Sequence, residues 1–355
     1  MNARIGPATP LNLLAYLGES PALAGAPLHF GAGAAIVGRV TLGARAWISD
    51  SALMRADGHI VCAGDDLHMG WRATVHIAHE EYPALIGARV TVGDFAVVHA
   101  CEVGDDCVVG DRAVVLDGSV LEAGVVLEDD AVVFPRTRLA GGFVYSGRPA
   151  RPERPLHAGE LAQRHAELRA RNCGATHPAP PPSDLHAPIA PSVFVANTAS
   201  LRGHVEAAPR SSIWYGCALD ANGGRIALGE RSNVQDNSLL SCAPGTQLVI
   251  GCDTTIGHNA KMAECTIGDR CLVGIGAIVA AGTRLEDDVV LAAGAHTTPG
   301  QVLTGGQIWG GQPVRALAPL DERKRIFFAD TVRIYCDYAE EMIRVQARSA
   351  PPIAP

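Results

Sequence analysis

Aliphatic residues recur along most of this chain at every sixth position. In the first half Ile86, Val92 and Val98 form one series, and Val103, Val109, Val115, Leu121 and Leu127 the next. In the second half the series are Ile250, Ile256 and Met262, then Ile267, Val273, Val279, Leu285 and Leu291. Glycine or aspartate usually follows the aliphatic residue. A period of six fits neither the 3.6-residue repeat of a helix nor the two-residue alternation of a flat strand. It fits a three-sided solenoid in which each side is a short strand and three sides make one turn. The aliphatic side chain then points inward and stacks on its equivalent one turn away. The pattern predicts an all-β chain: two tandem left-handed parallel β-helix domains of hexapeptide repeats, an exception to the right-handed crossover rule.

Both ladders break once, with a step of five from Val98 to Val103 and from Met262 to Ile267. An irregularity shared at a shared place marks one half as a duplicate of the other. The first solenoid is expected over 28–144, followed by a short polar helix over 156–170. The proline-rich stretch from Gly174 to Pro191 has no apolar period and reads as a linker. The second solenoid is expected over 193–311. An amphipathic helix over 321–348 follows, with Ile326, Phe327, Val332, Ile334, Tyr335 and Ile343 free to pack on a solenoid or a neighbouring subunit. The domains are therefore 1–172 and 192–355, each a β-helix with a C-terminal α-helix, joined by 173–191.

Composition narrows the function. The net charge of -8, with no basic block, argues against nucleic acid or an anionic membrane surface as a partner. No apolar run reaches the roughly 18 residues of a membrane span, and the first ten residues lack a signal-peptide pattern. A cytoplasmic protein is the expectation. The ten cysteines form no CxxC pair. Those such as Cys101 and Cys265 fall in inward slots and read as small buried apolar residues rather than disulfides.

Superposing Val92-Gly93 on Ile256-Gly257 puts Cys101 on Cys265 and Val103-Gly104-Asp105 on Ile267-Gly268-Asp269. In that alignment Asp94 lies on His258, and His99 lies on Ala263. Each half has a histidine that the other lacks. The segments around SIW, NVQD and IGHNA with the following CTIGD resemble a γ-class carbonic anhydrase, and the first half does so more loosely. The resemblance spans most of the chain, apart from the linker and the ends. It implies trimers with a zinc ion between neighbouring subunits, two histidines from one and the third from the next. An Arg and an Asp in R-x-D, and a Gln in NxQD, lie near that metal.

Carried over residue by residue, the R-x-D is Arg55-Ala56-Asp57 in the first half and Asp220-Ala221-Asn222 in the second. The first zinc histidine is His76 against Ser241. The histidine of G-H-N is Asp94 against His258, and the one five residues on is His99 against Ala263. The NxQD is His68-Met69-Gly70-Trp71 against Asn233-Val234-Gln235-Asp236. The first half keeps Arg55, Asp57, His76 and His99, and the second keeps His258 and Gln235. An interface between the halves, in one direction, completes a three-histidine set. The reverse interface offers Ser241, Ala263 and Asp94.

The resemblance implies a zinc hydro-lyase acting on CO₂ and bicarbonate or a similar small carbonyl compound, in which three neutral imidazoles hold Zn²⁺, with Fe²⁺ or Co²⁺ as alternatives. Arg55 and Asp57 would shape the site, Gln235 would orient water, and Glu80 and Glu81, in the loop after His76, would pass a proton to solvent. His59, His68 and His79 match no such position and are expected in solvent, and Trp71 is expected to pack. Two other functions stay open: a non-catalytic assembly scaffold, and an acyltransferase using coenzyme A with one histidine as base. A homo-oligomer is expected. If unlike halves pair, the metal site is His76, His99 and His258. If like halves pair, His76 and His99 would be joined by Asp94.

Overall fold

A computed structural model of the chain describes residues 11–349, apart from 176, 178–180 and 188. Each half is a left-handed parallel β-helix made of short strands. In the first, one inward column stacks Ile36, Met54, Val75, Val98, Val115 and Val133 in register. A second stacks Ala63, Ile86, Val103, Leu121 and Leu139. A third stacks Phe30, Ile48, Met69, Val92, Val109, Leu127 and Tyr145. Val103, Val109 and Val115 share one interior, as the six-residue period requires. The second half repeats the scheme, with Leu219, Leu240, Met262 and Val279 in one column and Ile213, Val234, Ile256, Val273 and Leu291 in another. The cysteines are free thiols, and Cys101 and Cys265 are buried in these interiors.

The corners explain the polar half of the pattern. Left-handed backbone recurs every six residues at Asp106, Arg112, Gly118, Gly124, Asp130 and Arg136. Asp and Gly tolerate that conformation best. Gly93 answers a different demand, because a Cβ there would lie 2.6 Å from the backbone nitrogen of Asp111 in the next turn. Aspartates also tie turn to turn. Asp94 accepts from the Trp71 backbone N–H at 2.7 Å, Asp111 from Asp94 at 2.8 Å, and Asp129 from Asp111 at 2.9 Å.

The first helix, α1, spans Glu160–Gly174, starting and ending four residues later than the expected span. Its Leu168 and Leu161 pack on Val108, Val126 and Val144 of its own solenoid. Within the expected linker, Asp184–Leu185 already pairs with Arg202–Gly203 of the second solenoid. The second helix, α2, spans Glu322–Ser349. Its Val332, Tyr335 and Tyr338 are buried, whereas Ile326 and Phe327 are exposed. Tyr335, Tyr338 and Met342 join Trp214 and Phe194 of the second half and Tyr16, Val37 and Leu53 of the first in one shared cluster.

The two solenoids pair within the chain, unlike half against unlike half. A flat side of the first, carrying Arg55, Thr74 and Val97, meets a corner of the second, carrying Trp214, Asn237 and Asn259. Asn237 Nδ2 donates to Thr74 Oγ1 at 3.0 Å, and Thr74 Oγ1 donates to Asn259 Oδ1 at 2.7 Å. Asn259 Nδ2 also donates to the Arg72 carbonyl at 2.9 Å. Farther along, Val97, Val114 and Val132 pack on Ile275.

Candidate metal centre

That interface brings together three histidines. His76 and His99 occupy paired positions on adjacent strands of the first half. His258 projects toward them from the second half's corner. One ring nitrogen from each lies within 4.8 Å of the others. The remaining nitrogens each face a carboxylate. His76 Nε2 is 3.2 Å from Asp57, His99 Nδ1 is 2.5 Å from Asp117, and His258 Nδ1 is 3.0 Å from Asp236, though not aligned as a hydrogen bond. Such partners fix ring orientation and make the opposite nitrogen a better ligand.

Arg55 organises this ring of carboxylates. It is fully buried, donates to Asp57 and reaches Asp236 at 3.0 Å. Its guanidinium lies 4.3 Å from the Trp214 ring centroid and donates to the Tyr335 hydroxyl at 2.9 Å. A buried arginine keeps its charge here because the attraction of Asp236 and Asp57 outweighs burial. Burial would raise the Asp236 carboxyl, but Arg55 and then His258 hold it below the ordinary range. Burial and the Arg55 charge keep His76 well below the usual histidine value, and burial takes His258 down to about 4. His76 Nδ1 and His99 Nε2 lie 3.3 Å apart, and three imidazoles each backed by an acid are the donor set that a divalent transition metal takes.

A cavity of about 280 Å³ opens from His76 and His99. His76, His99, Gln235, Asp117 and Glu81 line it together with Leu116, Leu272, Ile275 and Phe328. Glu80 is exposed and is not among the lining residues. Ser241 is exposed on the outer side of the second half. Asp94 belongs to the corner ladder and faces His177 at 3.3 Å rather than His76 and His99.

Sequence reasoning missed three of the site's residues. Asp117 falls one turn beyond His99, and its second-half counterpart is Ala281, so the same contrast between halves would have singled it out. Asp236 was visible in NVQD but reads equally as a turn residue. Tyr335, whose hydroxyl is 3.4 Å from His258 Nε2, comes from α2, and no repeat places it. One of the remaining histidines departs from expectation. His68 is buried, stacked on Trp47, because α1 covers that side. His79 is exposed, as expected, yet its Nδ1 lies 2.6 Å from the Tyr338 hydroxyl. Trp71 packs, as expected, stacked on His177 at 4.2 Å.

Comparison with known proteins places these features. The family described as the hexapeptide repeat of succinyl-transferase matches residues 102–133 and 265–298. Gamma carbonic anhydrase 1, mitochondrial, of Arabidopsis thaliana is 35% identical over 153 residues, covering 41% of this chain and 56% of that protein. The chain thus spans just over half the length of that plant relative. Protein YrdA of Escherichia coli is 30% identical over 170 residues, covering 46% of this chain and 92% of that protein. Among solved structures, a putative acetyltransferase from Desulfovibrio desulfuricans aligns over 91% of this chain and 82% of its own, with a TM-score of 0.51 and 12% identity. That likeness is one of fold. Among the described residues no helix is long and apolar enough to cross a membrane.

Proposed function

The chain belongs to the γ-carbonic-anhydrase-like hexapeptide-repeat β-helix proteins, and on that premise we propose that it is a metal-dependent hydro-lyase interconverting CO₂ and bicarbonate. In this reading one composite site, held by His76, His99 and His258, serves both halves. The observation that carries it is the meeting of three histidines from two halves, each with a carboxylate behind it.

A bound divalent ion, zinc first and Fe²⁺ or Co²⁺ as alternatives, supplies Lewis acidity and brings the pKa of coordinated water near 7. The protein's own groups do the rest. Asp57, Asp117 and Asp236 fix the imidazole orientations, and Arg55 fixes two of those acids. The Gln235 amide, lining the cavity, orients the attacking water. The Arg55–Tyr335 hydrogen bond aims the phenol oxygen at the same space. The aliphatic and aromatic walls favour CO₂ over water, since apolar lining gives water no hydrogen bonds. Its volume leaves room for a larger carbonyl compound as well. Protons would leave by Asp117 and Glu81, which stand on the cavity wall, with Glu80 farther out in the same loop.

Metal counting together with CO₂-hydration kinetics on the purified chain tests this. One ion per chain with turnover that a chelator abolishes supports it. One ion per chain without turnover would leave the scaffold reading, and stabilisation by acetyl-coenzyme A would favour the acyltransferase.

A further inference from the structure

A second polar site lies on the seam between the halves, away from the histidines. Arg112, Asp130 and Arg148 contribute from the first half, and Lys261 and His296 from the second. Asp130 is the sole carboxylate lining this cleft among the described residues. It is already engaged twice, by Arg112 through Nε at 2.9 Å and Nη2 at 2.6 Å, and by Arg148 Nη2 at 3.0 Å. Lys261 makes no ion pair among the described residues. Its ammonium sits 4.3 Å from the Phe95 ring centroid. Three cations therefore share one carboxylate, Arg148 and Lys261 half-buried and the side chains of the Arg112–Asp130 pair exposed, an arrangement in which like charges repel.

The electrostatics of Lys261, His296 and Arg148 agree with that geometry, whereas the hydrogen bonds to Asp130 hold Arg112 above its ordinary value. Burial and then Arg112 hold the Lys261 ammonium below its ordinary value, with Asp130 opposing. Burial and then Arg148 do the same to His296. Arg148 itself is lowered by burial, against the pull of Asp130. The remaining free space is about 20 Å³, the room of a single water or small ion. The cation–π contact to Phe95 offsets part of the desolvation of Lys261 but supplies no negative charge.

We propose that the seam is a binding site for one halide ion, held by Lys261 with Arg148 and Arg112 behind it. The anion would join the two halves electrostatically, since its ligands come from both. This site does not depend on the metal reading, because it uses none of the same residues.

Thermal unfolding of the full chain tests it at fixed ionic strength. Sodium gluconate, too bulky for the cleft, is replaced stepwise by sodium chloride in one series and by sodium bicarbonate, also too large for it, in another. The midpoint should rise by about 2 °C in the chloride series, and Lys261→Met should remove that rise. Equal midpoints in gluconate and chloride, a rise with bicarbonate that Lys261→Met removes, or a chloride rise that persists in Lys261→Met, would overturn the proposal. If Lys261→Met does not fold, a crystal of the wild-type chain soaked in bromide decides. An anomalous peak beside Lys261 Nζ is expected, and a seam without one would overturn the assignment.

Discussion

The two halves share a ladder and a fold but carry complementary parts of one candidate site. The first keeps a flat side with Arg55, Asp57, His76 and His99, and its corner has turned structural. Asp94, at the position of His258, is a rung of an aspartate ladder. The second half keeps the corner, with Asp236, His258 and Gln235, while its flat side presents Ser241 and Ala263. In a ring of identical subunits every interface must carry both parts, because each subunit shows both surfaces to neighbours. Once two copies are joined and pair in one direction, only one surface of each is needed. The other is then free to change, and both have.

The largest expected effect breaks that complementarity. His258→Ala should drop bound metal from about one ion per chain to near none and abolish hydration activity, while Asp94→Ala should leave both unchanged. Metal analysis of the two purified variants gives the answer. Retained metal in His258→Ala, or lost metal in Asp94→Ala, would show that the halves are not divided this way.

Next comes the buried arginine against its counterpart. Arg55→Met should destabilise the metal-free chain by about 3–5 kcal/mol, because it strands Asp57 and Asp236 away from water without a cation. Asp220→Ala, at the equivalent position, should change stability by less than about 1 kcal/mol, since its pair with Arg202 is exposed. Urea unfolding of both variants measures the difference, and similar costs would contradict it.

Asp117 sharpens the contrast at smaller scale. Asp117→Asn should weaken metal affinity by about 10–100-fold while leaving the fold intact, as expected for the partner of a ligating histidine. Competition with a calibrated chelator reads this directly. Unchanged affinity would reduce the His99–Asp117 contact to a surface pairing.

The smallest effect concerns His68, whose counterpart Asn233 does not titrate. Burial holds the folded His68 near a pKa of about 3, against 6.5 when unfolded. The unfolded chain therefore takes up a proton at that position first. The associated stability is complete above pH 6.5 and is lost as pH falls from there toward 3. His68→Asn should reduce the slope of stability against pH in that window, leaving the part that comes from the buried His76 and His258. A slope identical to wild type would place the acid sensitivity elsewhere.

The sequence determined the solenoids by itself, because inward residues are close neighbours in chain order and repeat with the turn. One six-residue step moves the chain one side onward, so Val103, Val109 and Val115 had to share an interior. The contrast between copies also singled out His99 and His258, since a duplicate supplies its own reference, and the family resemblance added His76. Tertiary structure decided what depends on surfaces meeting. It set the intrachain pairing of unlike halves, the approach of Asp117, Asp57 and Asp236 behind the imidazoles, and the reach of Tyr335 from α2 to His258. It also buried His68 beneath α1 and gathered Arg112, Arg148 and Lys261 on one seam. These contacts join residues far apart in the chain across faces whose periodicity is identical, so periodicity cannot say which face meets which. Only side-chain packing and the balance of buried charge between the two bodies select the pairing.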